Sequence, residues 1–295
     1  MKPYITILAA ALLLASCSSN KDIATFVILP DTQTYLEQCP EVFDSQINWI
    51  IDNKKSIDAV LQVGDLTQDN SPVEWHYMSK AFNNLEKAGI KNMVVWGNHD
   101  IGSRPGQFSD VHNTVNANRY FHRIEWLVLN MEFGPSDEAI VWADSVVAGN
   151  PGKKVVLNTH AYLYSDSTLH DGDDWWLPQS YGIGKEAGRH VNDGASLWKN
   201  LISKYPNVIA VFCGHVLHGG VGTLVSTGAN GNSVYQMLAN FQRGVKDSRL
   251  GGEGYLRIVK FNRKTKEINV NTFSTWNKTY HPSPEHNFVF KNVDL

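Results

Sequence analysis

The stretch DAVLQVGDLTQDN, residues 58–70, decides the fold. Its first six residues, Asp58 to Val63, read as a short buried strand. The chain then turns at Gly64 and presents Asp65, with Gln68 and Asp69 close behind. Immediately downstream, Ser71 has the features of a helix N-cap, with Pro72 at the first helical position and Glu74 three residues on. That helix is expected to run to Ala88 and to stop at Gly89. Asn92 to Trp96 follows as another strand. Upstream, Ala24 to Leu29 is an apolar, β-branched strand, and Glu41 to Asn53 is a helix with Phe43, Ile47, Ile50 and Ile51 on one face. Repeated strand–helix–strand units predict an α/β fold with parallel pairing.

Farther along, strands are expected at 126–130, 154–158, 207–212, 223–227, 233–238, 255–261 and 267–273, and helices near 135–148 and 194–204. The last strands crowd together with little helix between them. They predict a second, more antiparallel sheet after the helix-rich half. No repeat and no Pro/Ser-rich linker interrupts residues 24–295, so one domain is expected there.

Composition limits the possible functions. The 295 residues are 42% hydrophobic and 19% charged, which excludes a disordered chain. A formal net charge of −3 argues against a basic nucleic-acid binder. Three cysteines cannot build a disulfide framework. Cys213 lies in an apolar run and is expected to be a buried core thiol, and Cys39 a free thiol, in preference to a Cys39–Cys213 disulfide.

The opening MKPYITILAAALLLASCSSN reads as an export signal. Lys2 supplies the positive start, and Ile5 to Ala15 is too short to span a bilayer but suits a signal-peptide core. Leu14-Ala15-Ser16-Cys17 resembles a bacterial lipobox. Residues 1–16 are therefore expected to be cleaved, Cys17 to carry lipid, and 17–23 to form a short tether. Ser18 and Ser19 after the cysteine favour the outer membrane. The expected location is the bacterial cell envelope, with the N-terminal lipid as the membrane contact.

In open α/β sheets ligands bind beyond the carboxyl ends of the strands. Here the strand ends run into Asp31 and Gln33, into Asp65, into Asn98 and His99, into His160, and into His215 and His218. Carboxylate, amide and imidazole donors of this kind suit Mn, Fe, Zn or Mg. Glycines at 64, 97 and 214 precede three of these groups and are expected to permit sharp turns.

The ordered set of GD at 64–65, GNHD at 97–100 and GH at 214–215 resembles the calcineurin-like metallophosphoesterases, over nearly the whole chain after the signal. It is most similar to a bacterial secreted branch whose first motif is Asp-Thr-Gln, as at 31–33; LQVGDLTQDN and VYQMLANFQ also look like that branch. The resemblance implies a four-layer α-β-β-α sandwich with two central mixed sheets. It implies hydrolysis of phosphomonoesters or phosphodiesters at a site holding two divalent cations. Asp31 would bind the first cation, Asp65 would bridge, and Asn98, His160 and His215 would bind the second. His99 would act near the leaving group. Two cations roughly 3.5–4 Å apart stabilise the attacking and leaving oxygens of an in-line displacement and acidify the attacking water.

Three positions depart from the pattern. Gln33 replaces a histidine and is expected either to ligate the first cation or to hold a water beside it. His218 stands three residues after His215 where the family has two, so it reaches the first cation only through a bend. Gln68 replaces an aspartate that orients the catalytic histidine, and Asp69 is the candidate substitute. Around the rim, Trp175 and Trp176 are expected to offer a stacking platform, and Arg243 to pair with a phosphate oxygen. A calcium loop on Asp171, Asp173 and Asp174 is another reading of that segment. Two other functions fit the same residues: a metal-containing binding protein without turnover, and an esterase or deacetylase of envelope sugars.

Overall fold

The computed structural model describes residues 22–101, 119–122, 125–172, 174–186 and 188–295. In chain order its strands and α-helices are β1 (Ile23–Leu29), α1 (Gln33–Gln38), α2 (Pro40–Asp52), β2 (Ala59–Gln62), α3 (Pro72–Lys87), β3 (Asn92–Val94), β4 (Arg119–His122), β5 (Trp126–Asn130), α4 (Asp137–Ala148), β6 (Lys154–Asn158), α5 (Gly194–Asn200), β7 (Val208–Cys213), β8 (Val221–Thr227), β9 (Ser233–Ala239), β10 (Tyr255–Asn262), β11 (Glu267–Ser274), β12 (Thr279–Tyr280) and β13 (Asn287–Lys291).

Two mixed sheets form. The first runs β12-β11-β10-β1-β2-β3, with β13 also paired to β11. Its β1-β2-β3 part is parallel, and β10 returns antiparallel to β1. The second runs β4-β5-β6-β7-β9-β8; its middle is parallel and both outer pairs are antiparallel. The expected separate antiparallel sheet at the C-terminal end is corrected by this topology. The late strands divide, with β7 to β9 completing the second sheet and β10 to β13 completing the first. Antiparallel pairing to β1 requires no local partner, so spacing along the chain could not reveal it.

The residues sort into three apolar layers because strand side chains alternate in direction. Phe26, Ile28 and Leu61 from the first sheet meet Val128, Val156 and Phe212 from the second in a shared core. On the outer face of the first sheet, Val27, Leu29 and Val60 pack against Phe43, Ile47 and Ile50 of α2 and Met78 and Phe82 of α3. On the outer face of the second, Leu127, Leu157 and Val211 pack against Ile140 and Ala143 of α4 and Leu197 of α5. The order of layers is thus α-β-β-α. Cys39 and Cys213 are both free and buried, in different layers.

At the carboxyl ends of the strands the interface changes from apolar to polar. Asn158 Nδ2 on β6 donates to the Gln62 carbonyl of β2 (3.0 Å) and to Asn130 Oδ1 (2.7 Å). Asn130 Nδ2 on β5 donates to the Val94 carbonyl of β3 (2.5 Å). All three amide-bearing residues are fully buried. These bonds join the two sheets directly beneath the loops that carry the strand-end ligands.

Candidate metal centre

Asp65, His160 and His215 converge. Their ligand atoms all lie within 4.8 Å of one another, and all three residues are buried. Asp65 follows β2, His160 follows β6 and His215 follows β7, so the cluster bridges both sheets. Asn98 completes the cluster: its Oδ1 lies 3.2 Å from His160 Nε2, and Asp65 Oδ1 lies 3.4 Å from the same nitrogen.

The imidazoles are held for ligation. His160 Nδ1 is 2.7 Å from the Val63 carbonyl, which fixes the proton there and leaves Nε2 facing Asp65 and Asn98. His215 Nε2 is 2.8 Å from the Trp176 carbonyl, which leaves Nδ1 as its available nitrogen. A main-chain carbonyl on the opposite ring nitrogen is the usual support for a metal-binding histidine. Phe133 stands edge-on to His160 (5.6 Å) and tilts against His215 (5.3 Å), which limits ring rotation.

The backbone is strained where these groups project. Asp65 has φ 53° and His215 has φ 75°, in the left-handed region. Gly64, at φ 108°, is the turn that a glycine was expected to permit. Gly214 does different work. It has no positive φ, but a Cβ there would overlap Asp31 Oδ1. Its role is to let two chain segments approach closely.

Asp31 is fully buried and lies beside the cluster. Its Oδ2 accepts from the His215 main-chain N–H (3.0 Å), Asn240 Nδ2 (2.9 Å) and Gln242 Nε2 (3.2 Å). Gln33 Nε2 donates to Asp65 Oδ2 (3.1 Å), while its buried Oε1 has no partner among the described residues. Asp100 is also fully buried and accepts from the N–H groups of Leu66, Thr67 and Gly97. It ties the second strand-end loop to the third.

Three buried carboxylates therefore share one region, and among the described residues no lysine or arginine ion-pairs with them. Burial pushes the Asp31 carboxyl well up, and burial with the Asp65 charge raises Asp100 to about 7. Burial would raise Asp65 too, but the imidazoles of His160, His99 and His215 outweigh it and hold this carboxyl well below the usual range. Burial disfavours charge on His160, yet Asp65 and Asp31 raise it to about 9. Burial, with His160 and His170 nearby, drives His215 well below its ordinary value. The donor set fits a divalent cation: hard oxygens and ring nitrogens converge, no lysine or arginine among the described residues pairs with the carboxylates, and Gln33 Oε1 is an unused buried acceptor.

His99 stands beside the cluster. Its main-chain N–H donates to Asp65 Oδ1 (2.9 Å), and its Nδ1 lies 2.7 Å from the Gln68 carbonyl. Burial lowers its proton affinity, but Asp65, the Gln68 carbonyl and Asp100 outweigh this and raise it overall. Asp69 does not orient it. Asp69 is exposed, with its N–H bonded to Glu74, and the Gln68 main chain takes the role expected of Asp69.

Two other expectations are corrected. His218 does not join the cluster. It is exposed, with φ 48°, and the Leu217–Gly220 turn carries it to the rim. Arg243 is half-exposed and ion-paired to Glu37 at 2.8 Å, so its guanidinium is engaged away from the cluster. Trp175 is 64% exposed and stacks on Trp176 at 3.8 Å between ring centroids. A cavity of about 430 Å³ opens beside them, with Tyr164, Asp171, Asp174, Trp176 and His218 in its wall. Asp173 of the alternative calcium loop, Cys17 and residues 102–118 lie outside the described residues.

Asn240 and Gln242, the partners of Asp31, were not anticipated as site residues, although they follow β9 by the strand-end rule that found the others. Asp100 stood in view in GNHD without an assigned role. Tyr181, whose hydroxyl is 3.5 Å from His215 Nε2, had no signal in the sequence.

The family model described as calcineurin-like phosphoesterase matches residues 24–219. The chain is 27% identical over 287 residues to the uncharacterized protein YvnB of Bacillus subtilis, covering 88% of this chain and 20% of that protein. It thus spans about a fifth of that relative's length. Among solved structures, it resembles a purple acid phosphatase from yellow lupin (Lupinus luteus) seeds, with TM-score 0.57 and 14% identity over 91% of this chain and 54% of the other. It also resembles a dimetal phosphatase from Danio rerio, with TM-score 0.54 and 10% identity over 91% of this chain and 98% of the other. At these identities the two structures attest the fold.

Proposed function

The chain belongs to the calcineurin-like phosphoesterase family, a metal-dependent group of hydrolases, and on that premise we propose that it cleaves a small phosphorylated substrate at a dinuclear centre. The carrying observation is the convergence of Asp65, His160 and His215 from two sheets. Asp65, Asn98, His160 and His215 would hold one cation, and Asp31, Asp65 and Gln33 the other. Bound there, divalent cations supply Lewis-acid stabilisation of phosphoryl charge and acidify the attacking water.

The chain's own residues do the rest. Asn240, Gln242 and the His215 N–H fix Asp31 by three hydrogen bonds, so its remaining lone pairs keep one direction. The Val63 and Trp176 carbonyls hold the protons on the far nitrogens of His160 and His215. The Gln68 carbonyl orients His99 through Nδ1, and His99 Nε2 is the atom that carries a proton to the departing alkoxide. Trp175 offers an exposed ring face for the organic part of the substrate.

The protein is assayed with Mn²⁺ on p-nitrophenyl phosphate and bis-p-nitrophenyl phosphate, alongside elemental analysis. Two metals per chain and turnover are expected, with Asp65→Asn losing at least about 100-fold in kcat and part of the metal. Hydrolysis unaffected by Asp65→Asn, or a single metal per chain in the active protein, defeats the dinuclear reading.

Cys17 and the apolar run before it support a lipid-anchored envelope protein. Incorporation of radiolabelled palmitate, lost in Cys17→Ala, is the expected outcome; an unlabelled mature chain removes the anchor.

A further inference from the structure

Apart from the metal centre, the two sheets enclose a charge that the reaction does not use. Arg257 on β10 is 1% exposed. Its Nη1 donates to the Leu238 carbonyl of the facing sheet (3.0 Å), and its Nε to Thr272 Oγ1 (3.4 Å). The guanidinium carbon stands 5.9 Å from the centre of the Phe288 ring. Its Nη2 has no hydrogen-bond partner among the described residues, and no described carboxylate ion-pairs with it. Burial lowers Arg257 only to about 10, so it stays charged at neutral pH. Its neighbour Cys213 supplies no countercharge, since burial pushes that thiol up to about 12.

A second unused polar atom lies nearby, reached through Thr272 and His281. Arg257 pairs with Thr272 across β10 and β11, and Asn271 pairs with Asn287 across β11 and β13. Beyond Thr272 the row reaches His281, whose main-chain N–H donates to the Thr272 carbonyl (2.9 Å), and His286, the residue before β13, lies against the His281 ring and close enough to feel the Arg257 charge. His286 is 6% exposed, and its Nδ1 has no partner among the described residues. His281 stacks on its ring at 3.5 Å, and Phe241 lies 5.7 Å away.

An isolated buried charge costs several kcal/mol unless it is compensated. A water molecule would satisfy an N–H group but would leave the charge. A small anion does both. We infer that Arg257 Nη2 and His286 Nδ1 together hold a halide-sized inorganic anion between the sheets, as the counterion of Arg257 and separate from the metal centre. The ligand is monovalent and compact, because the guanidinium is buried between the sheets with the Phe288 ring and the Leu238 carbonyl against it.

The intact protein is unfolded thermally in sodium chloride, sodium bromide and sodium gluconate at equal ionic strength. The melting temperature is expected to rise by about 2–3 °C for each tenfold increase in halide above its dissociation constant, and not in gluconate. Arg257→Met, which keeps the volume and removes the charge, abolishes that dependence. His286→Leu, which keeps Arg257, reduces it and serves if Arg257→Met does not fold. In a bromide-soaked crystal of the wild type, an anomalous peak is expected within hydrogen-bond distance of Arg257 Nη2. Equal melting temperatures in halide and gluconate, an unchanged slope in either variant, or no peak at Arg257 would each overturn the anion site.

Discussion

Individual side chains were legible to the extent that their chemistry is tied to a strand end. Asp31, Asp65, Asn98, His160 and His215 could be marked because each is a ligand-type residue placed where a buried run stops. Asn240 and Gln242 obey the same rule but are amides, which are common in loops, so nothing separated them from turn residues until Asp31 was seen to accept from both. Arg243 shows the opposite case: a guanidinium near a strand end suits phosphate chemistry, but Glu37 holds it in an ion pair. Trp175 was legible only as an aromatic pair, and the structure adds its exposure and its stacking on Trp176. Loss of a stacking face weakens binding by about 0.5–1.5 kcal/mol. Trp175→Ala is therefore expected to raise KM for a substrate with a ring in its alcohol part by about 2–10-fold, with kcat and metal content unchanged. An unaltered KM across such substrates would show that the indole takes no part.

At the scale of elements, the helix caps were readable and their reach was not. Ser71 and Glu74 form the expected capping box at the start of α3. Glu74 does more. Its carboxylate also accepts from the Gln68 N–H (2.7 Å) and the Asp69 N–H (3.1 Å), and the carbonyl of Gln68 is the group that orients His99. The first turn of α3 thus positions a catalytic candidate through one peptide unit. Glu74→Ala should lower stability by about 1–2 kcal/mol through the lost cap. It should also reduce kcat more than KM, leaving metal content intact, whereas Ser71→Ala should cost stability alone. If both variants lose stability and neither changes kcat, Glu74 is only a cap.

For the whole molecule, the parallel half was legible because strand, helix and strand follow one another closely. The return of β10 to β1 was not, because it joins residues more than two hundred positions apart and leaves no local trace. Beside the far strands of the same sheet, His281 and Phe241 pack against His286, whose proton affinity burial, with Arg257 and His281 nearby, lowers to about 3. The sign follows from linkage. Above pH about 6.5 the ring is neutral in folded and unfolded chains alike and contributes no pH dependence. As pH falls from there toward 3, only the unfolded chain takes up the proton, so stability declines through that window. In halide-free buffer, His286→Leu is expected to flatten the decline in melting temperature between pH 6 and 4. Parallel curves for wild type and variant would contradict this.

The amide bonds from Asn158 to Gln62 and from Asn130 to Val94 fasten one leaf of the sandwich to the other just below the ligands. Because Asp65 and Asn98 hang from one leaf and His160 and His215 from the other, a cation held by these four would act as a clasp across the seam. On the proposed reading, chelation should do more than stop hydrolysis: it should let the leaves part sooner on heating, and a protease should find the opened seam first.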